Sequence, residues 1–387
     1  MKVVVAPNSL KGSLSAIDAA QAMAHGVRDA LAEAEIIEAP VSDGGDGLID
    51  VLVTALDGER RTEHVTGPRG RRIQAQWAWM PEQRLAVVEM AAASGLALLR
   101  ADEYDVLHTT TRGTGQLIRV ALDAGAEHIL VGIGGSATND GGMGAAASLG
   151  VRFLDEGGCE LDPCGASLGR VERIDTEVMD ARIESIVLEV ICDVRNPLLG
   201  DQGAARVYAR QKGASPADVD ELESGMEDFA RVLQRDLGVD ARHVPGAGAA
   251  GGLGAGLYAM LGAELCDGAE RVLEIIRFRE RARAAELVLT SEGRLDAQTA
   301  FGKATGAVAR AARELHIPCI AVVGEVGAEH AELDAAGFNA AFSLCLGPCR
   351  LQQAMRQAGA NLRRATEEVV RTFRAARAST DSRGTGG

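Results

Sequence analysis

Carboxylates, hydroxyls, cations and glycines gather in a few short segments of this 387-residue chain. The first is Pro7-Asn8-Ser9-Leu10-Lys11-Gly12-Ser13-Leu14-Ser15. Its serines suit a helix start, and Lys11 adds a point charge beside it; a capped helix with a solvated lysine fits equally well. The second is Val41-Ser42-Asp43-Gly44-Gly45-Asp46-Gly47, with two carboxylates among three glycines. Such oxygen donors suit Mg²⁺, or they form a turn with acids at a helix N-terminus. The third is the richest: Gly132-Ile133-Gly134-Gly135-Ser136-Ala137-Thr138-Asn139-Asp140-Gly141-Gly142 follows a buried apolar run. Bare backbone N–H groups there can form an anion site. Asp193, closing Ile191-Cys192-Asp193, sits where a general base would sit, or caps the chain as a buried acid. Pro245-Gly246-Ala247-Gly248-Ala249-Ala250-Gly251-Gly252-Leu253-Gly254 is a second glycine nest, or a close-packed helix entry. In Ser291-Glu292-Gly293-Arg294-Leu295-Asp296, the acids can serve a metal or act as a base, and Arg294 can hold a carboxylate or phosphate.

Several chemistries fail on spacing. Gly302-Lys303-Ala304-Thr305 looks like the tail of a P-loop, but residue 297 is alanine where glycine is required and residue 304 is alanine where Ser or Thr is required. No protein-kinase HRD or DFG set occurs. One rival survives: Gly132 to Ala137 fits G-x-G-x-x-A, and Asp155 follows the strand-like Val151–Leu154 at about the offset of a ribose-binding acid. That would make an NAD-linked oxidoreductase. The polar and glycine-rich Thr138–Gly142 stands against it, where a Rossmann helix should already pack. A third reading is a non-catalytic sensor of a phosphorylated metabolite, which would not need acids at three strand ends.

The elements that must position these segments alternate between strand and helix. Strand-like runs are Lys2–Ala6, Glu35–Ala39, Arg84–Met90, His128–Ile133, Ser185–Cys192, Glu286–Thr290, Pro318–Val323 and Ala340–Leu344. Helical spacing covers Ser15–Ala34, Gly44–Leu56, Thr111–Ala124, Pro216–Leu237 and Gly302–Leu315. One more apolar stripe runs from Leu351 through Met355, Ala358, Leu362, Ala365 and Val369 to Phe373, and a disordered tail is expected over 378–387. Strand–helix alternation implies an α/β protein with mostly parallel sheets, whose ligands bind at the carboxyl ends of strands. Thr62–Met80 breaks the rhythm and is read as the crossover into a second domain; Arg277–Ala285 is read as the return.

Composition narrows the partners. A net charge of −15 opposes binding to nucleic acid or to an anionic membrane surface. Glycine is 47 of 387, about 12% against a usual ~7%, and it clusters without a three-residue period. Seven scattered cysteines suit reduced thiols in the cytoplasm better than a disulfide framework or a zinc site. The uncharged run Val244–Met260 falls short of the ~20 residues of a membrane span, and the amino terminus has no signal-type apolar region.

Taken in order, the Pro7–Ala16, Ser42–Gly47, Gly132–Gly142, Gln211-Lys212-Gly213-Ala214, Pro245–Gly252 and Glu292–Asp296 motifs resemble those of the bacterial type I glycerate kinases, over residues 1 to about 375. This outweighs the dinucleotide reading. The resemblance implies ATP-dependent phosphorylation of D-glycerate to 2-phosphoglycerate with Mg²⁺. It also implies two α/β domains around a cleft. One is flavodoxin-like, with a parallel sheet built from both chain ends (1–65 plus 285–377); the other is the central segment, 66–284. Within that frame Asp193 is the expected base and Asp296 the second candidate. Lys11 and Lys212 are expected to stabilise charge on the transferring group, and Asp43 to hold Mg²⁺. Ser9, Gly134, Gly135, Ser136, Thr138, Asn139, Asp140, Gly248, Gly251, Gly252, Glu292 and Arg294 are expected to bind glycerate or nucleotide phosphates. The chain departs from the family pattern at Asn8 (usually Asp), Asp46 (usually Glu), Ser291 (usually Gly) and Ala209-Arg210 (usually Gly-Pro). Homo-oligomerisation is left open.

Overall fold

The computed structural model describes residues 1–45, 47–296, 303–345 and 347–384, with residues 378–384 described by backbone alone. The amino-terminal segment supplies β1 (Lys2–Val5) and β2 (Glu35–Glu38). The middle supplies β3 (Glu59–Thr66), β4 (Arg72–Met80), β5 (Leu85–Glu89) and β6 (His128–Gly132). It continues with β7 (Arg152–Leu154), β8 (Arg173–Asp175), β9 (Val187–Cys192) and β10 (Glu264–Asp267). The last part adds β11 (Leu287–Thr290), β12 (Arg294–Leu295), β13 (Cys319–Val323), β14 (Glu325–Val326) and β15 (Ala340–Ser343). Contacts divide the chain into two units, one of Met1–Asp43 with Ala269–Gly387 and the other of Gly44–Gly268.

In the first unit five strands pair in the order β15-β13-β11-β1-β2, all parallel. Counted along this unit, the order is 2-1-3-4-5, that of flavodoxin, and the switch point falls between β1 and β11. The register sets Val3 against Leu287 on one side and Ile36 on the other. The β-branched run of β1 is buried on both faces, as a central parallel strand requires. Helix Ala16–Ala30 starts at Ser15, whose hydroxyl accepts from the Asp18 N–H at 3.0 Å. It packs on helix Ala358–Gly384, and Met23, Val27, Leu362 and Val370 join the core between them and the sheet.

The second unit carries a six-stranded sheet in the order β10-β9-β6-β5-β4-β3. β10, β9, β6 and β5 run parallel, while β4 is antiparallel to both neighbours. β7 and β8 form a separate antiparallel ribbon. Trp77, Trp79, Phe153 and Phe229 are the largest side chains of its core.

Three expectations need correction. Thr62–Met80 is no crossover: it is most of the β3–β4 hairpin, turned at Gly67–Gly70, where Gly67 N–H donates to Arg71 C=O at 2.7 Å. β3 hides in the sequence because it is a charged edge strand, with Glu59, Arg60 and Thr62 exposed. The units accordingly divide at Asp43/Gly44 and Gly268/Ala269, not near residues 65 and 285. The stripe from Leu351 breaks at Gln357 into helices Leu351–Arg356 and Ala358–Gly384, and Leu351 is exposed. That second helix runs past Arg377 to Gly384, where a tail was expected; Ala375, Ala376 and Ala378 favour helix and no Gly or Pro intervenes.

Candidate active site

In the first unit, the carboxyl ends of β1 and β11 are stitched together beyond the sheet. Asn8 N–H donates to Ser291 C=O at 2.8 Å, and the buried Thr290 hydroxyl donates to Ala6 C=O at 2.7 Å. The two loops leaving this switch point therefore start side by side. Around them lies a cavity of about 690 Å³. Of the residues expected from sequence, Ser9, Lys11, Asp43, Glu292, Arg294 and Asp296 all line it. Lys303 lines the same cavity, and Leu10, Leu344, Leu351 and Met355 supply apolar wall. A site of this size with an apolar wall and a few convergent charges suits a small organic ligand.

Its electrostatics centre on Glu292, which is only 5% exposed. Burial pushes its carboxyl up to about 7, and the neighbouring Asp43 and Asp296 charges push the same way. The Thr305 hydroxyl donates to Glu292 Oε1, and this bond and Lys303 pull in the other direction. Asp43 is buried as well. Carboxylates are the hard oxygen donors that Mg²⁺ takes, and Asp43, with Glu292 beside it in this cavity, offers them. The Asn8 Oδ1 atom accepts from the Ser9 N–H at 2.8 Å, so the amide that replaces the family's usual acid holds its own loop. Arg294 Nε lies 3.7 Å from both Asp296 and Glu325 and is more than half exposed. Lys11 is exposed to solvent.

The second unit treats its expected residues differently. Only Gly135 is exposed in the Gly134–Gly142 segment; Ser136, Thr138, Asn139 and Asp140 are buried. Asp140 is fully enclosed and accepts four hydrogen bonds, from the Thr111 N–H and hydroxyl and from the Gly142 and Gly144 N–H groups. Burial pushes its carboxyl up against those bonds. Lys212 is buried too, and its Nζ donates to Thr138 C=O at 2.7 Å. Burial pulls this lysine down to about 7, while the Asp140 charge acts the other way. Thr138 Oγ1 and both side-chain polar atoms of Asn139 are buried with no hydrogen-bond partner among the described residues.

The second glycine nest lies against the first. A Cβ on Gly251 would sit 2.1 Å from Thr138 O, and Gly251 has φ +67°. A Cβ on Gly248 would sit 2.1 Å from Pro197 O, and one on Gly252 3.0 Å from Gly141 Cα. Only hydrogen fits at the first two of these approaches. Close backbone packing therefore accounts for the glycines at Gly248 and Gly251. Asp193 follows β9 and is exposed. The G-x-G-x-x-A stretch opens no long helix: the next one spans only Met143–Ala147, so the dinucleotide fold is not built here. Asp46 lies outside the described residues, as does Gly302.

Sequence reasoning missed Lys303 and Thr305. The failed P-loop pattern drew attention away from them, although a lysine at the entry of the helix after β11 was the available signal. Thr111, which holds Asp140, had no local signal, because its partner lies 29 residues away.

The comparisons agree across the chain. The profile of the glycerate kinase family matches residues 3–374. A "Glycerate 2-kinase" of Escherichia coli (strain K12) is 43% identical over 373 residues, covering 96% of this chain and 98% of that protein. A "Glycerate kinase" of Halalkalibacterium halodurans is 44% identical over 368 residues, covering 95% and 97%. The crystal structure of a protein assigned as glycerate kinase 2 from Salmonella typhimurium LT2 superposes with a TM-score of 0.88 at 41% identity, covering 97% of this chain and 99% of that one. With a family match over nearly all its length and a shared fold at this identity, the chain belongs to the glycerate kinase family.

Proposed function

We propose that this kinase transfers the γ-phosphoryl group of ATP to the 2-hydroxyl of D-glycerate, giving 2-phosphoglycerate and ADP. The observation that carries the reading is the cavity at the β1/β11 switch point. It combines cations (Lys11, Lys303, Arg294), oxygen acids (Asp43, Glu292, Asp296) and an apolar wall. That combination suits a nucleotide, with the base against Leu344, Leu351 and Met355 and the phosphates toward the lysines. Asp43 and Glu292 would hold Mg²⁺, which supplies charge neutralisation on the phosphates when bound.

In the transfer, the glycerate hydroxyl oxygen bonds to the γ-phosphorus as the bond to the β–γ bridging oxygen breaks. ADP leaves, and the hydroxyl proton passes to a carboxylate. Asp193 is the first candidate for that base and Asp296 the second. Lys11 and Lys303 stabilise the charge that builds on the transferring group. Lys212 has a different part: bonded to Thr138 C=O, it holds the Gly134–Gly142 loop in shape.

The test is ADP release from ATP and Mg²⁺ with D-glycerate, against L-glycerate and no acceptor, with the product read by phosphorus NMR. D-dependent release with a 2-phospho signal is expected. A 3-phospho signal would refute the position, and release with no acceptor preference would refute the substrate. Asp193→Asn should lower kcat about 10²–10⁴-fold with unchanged thermal unfolding. Wild-type turnover in that variant would pass the role to Asp296.

A further inference from the structure

Away from these loops, the edge of the second unit's sheet brings together an unusual donor set. β10 lies parallel to β9 with Glu264 directly opposite Glu189, and Cys266 is two residues further along β10, on the same face. One ligand atom from each of Glu189, Glu264 and Cys266 lies within 4.8 Å of the others. Cys266 Sγ is 3.7 Å from Glu189 Oε1. Two ligands on one tetrahedral zinc are about 3.6 Å apart, given bond lengths of roughly 2.0–2.3 Å. On the other side of Glu189, His128 Nε2 lies 2.5 Å from Oε2. Glu189 is buried, Cys266 half-buried and Glu264 exposed, so the group opens to solvent on one side only.

Two carboxylates directly opposite on neighbouring strands repel, and a cation held by both removes that repulsion. A thiol beside them selects the kind of cation. Mg²⁺ and Ca²⁺ avoid sulfur, whereas Zn²⁺ takes mixed sulfur and oxygen ligands. A histidine hydrogen-bonded to a ligating carboxylate is the usual outer support of such a centre.

We propose that Glu189, Glu264 and Cys266 form a site for Zn²⁺ or a similar soft divalent cation, with His128 as a positioning residue behind Glu189. Binding releases the Cys266 thiol proton to solvent and leaves a thiolate–metal bond. The site ties edge strand β10 to β9. Glu189 lies on β9 four residues before Asp193, which follows that strand, so the donor set stands roughly 13 Å from the proposed base.

The experiment is a titration of the full chain with Cd²⁺, followed by the ultraviolet thiolate-to-cadmium band, with Mg²⁺ alone as control. One Cd²⁺ per chain with a thiolate band is expected, and none with Mg²⁺. Cys266→Ser, which keeps the side chain's size, should abolish the band, and His128→Gln should weaken binding about 10–100-fold. Zn²⁺ should raise the unfolding temperature of the wild type and not of Cys266→Ser. An unchanged band in Cys266→Ser would assign the metal to other cysteines and overturn the proposal. So would no band in the wild type, which would leave the His128 imidazole as the partner of Glu189.

Discussion

In sequence, the cavity loops of the first unit and the glycine loops of the second are much alike, yet they use their polar groups in opposite ways. In the second unit Asp140 and Lys212 are enclosed, and the bonds found for them go to Thr111, to backbone N–H groups and to Thr138 C=O. Glycines there let one backbone lie on another. In the first unit, Lys11 and Arg294 are exposed, and Asp43 stands close enough to Glu292 to raise that acid's cost of ionisation. Glycine content alone thus does not identify a phosphate cradle. What matters is whether the loop's charges are already satisfied by its own protein.

The contrast breaks most visibly at Gly251. Gly251→Ala must place a Cβ against Thr138 O at a positive φ, and should cost at least about 4 kcal/mol in denaturant unfolding. A near-neutral result would mean the two glycine loops do not touch. Next comes Glu292. Its folded-state pKa is raised, so its share of stability is present at low pH and lost as pH rises through about 7. Between pH 5 and 8, without divalent cations, the wild type should lose up to about 3 kcal/mol more than Glu292→Gln. Parallel pH curves would show that the acid is not held under repulsion. The two lysines give the smallest and sharpest comparison. Lys212→Met should cost about 1–3 kcal/mol of stability by stranding Thr138 C=O. Lys11→Met should stay within about 0.5 kcal/mol of wild type in stability and lose about 100-fold in kcat/KM. Interchanged outcomes would reverse the roles given to the two units.

The parallel strands were legible because their apolar runs are short, β-branched and followed by polar loops: Lys2–Val5, His128–Gly132 and Val187–Cys192 differ from the sequence reading by a residue or two. Strand β3 was not, because its exposed charges resemble a linker and its pairing with Trp77 and Trp79 is set by tertiary contact. The helix break at Gln357 was hidden for a similar reason: the stripe continues in sequence while Leu351 turns out toward the cavity. Among the site residues, strand-end position was enough to nominate Lys11, Asp43, Glu292, Arg294 and Asp296, which the fold gathers around one cavity. Burial was not readable. Lys212 and Lys11 are both lysines beside glycine, and only the packing around them tells one from the other.

The placement of β1 between β2 and β11 has a consequence for synthesis. Val3 pairs with Leu287, so the first strand made waits for a partner about 280 residues downstream, roughly 15 to 60 s at typical translation rates. Meanwhile every strand of the second unit's sheet leaves the ribosome. The first unit is thus begun first and closed last, and its apolar Val3–Val5 edge is the segment of the nascent chain that most needs shielding until β11 arrives.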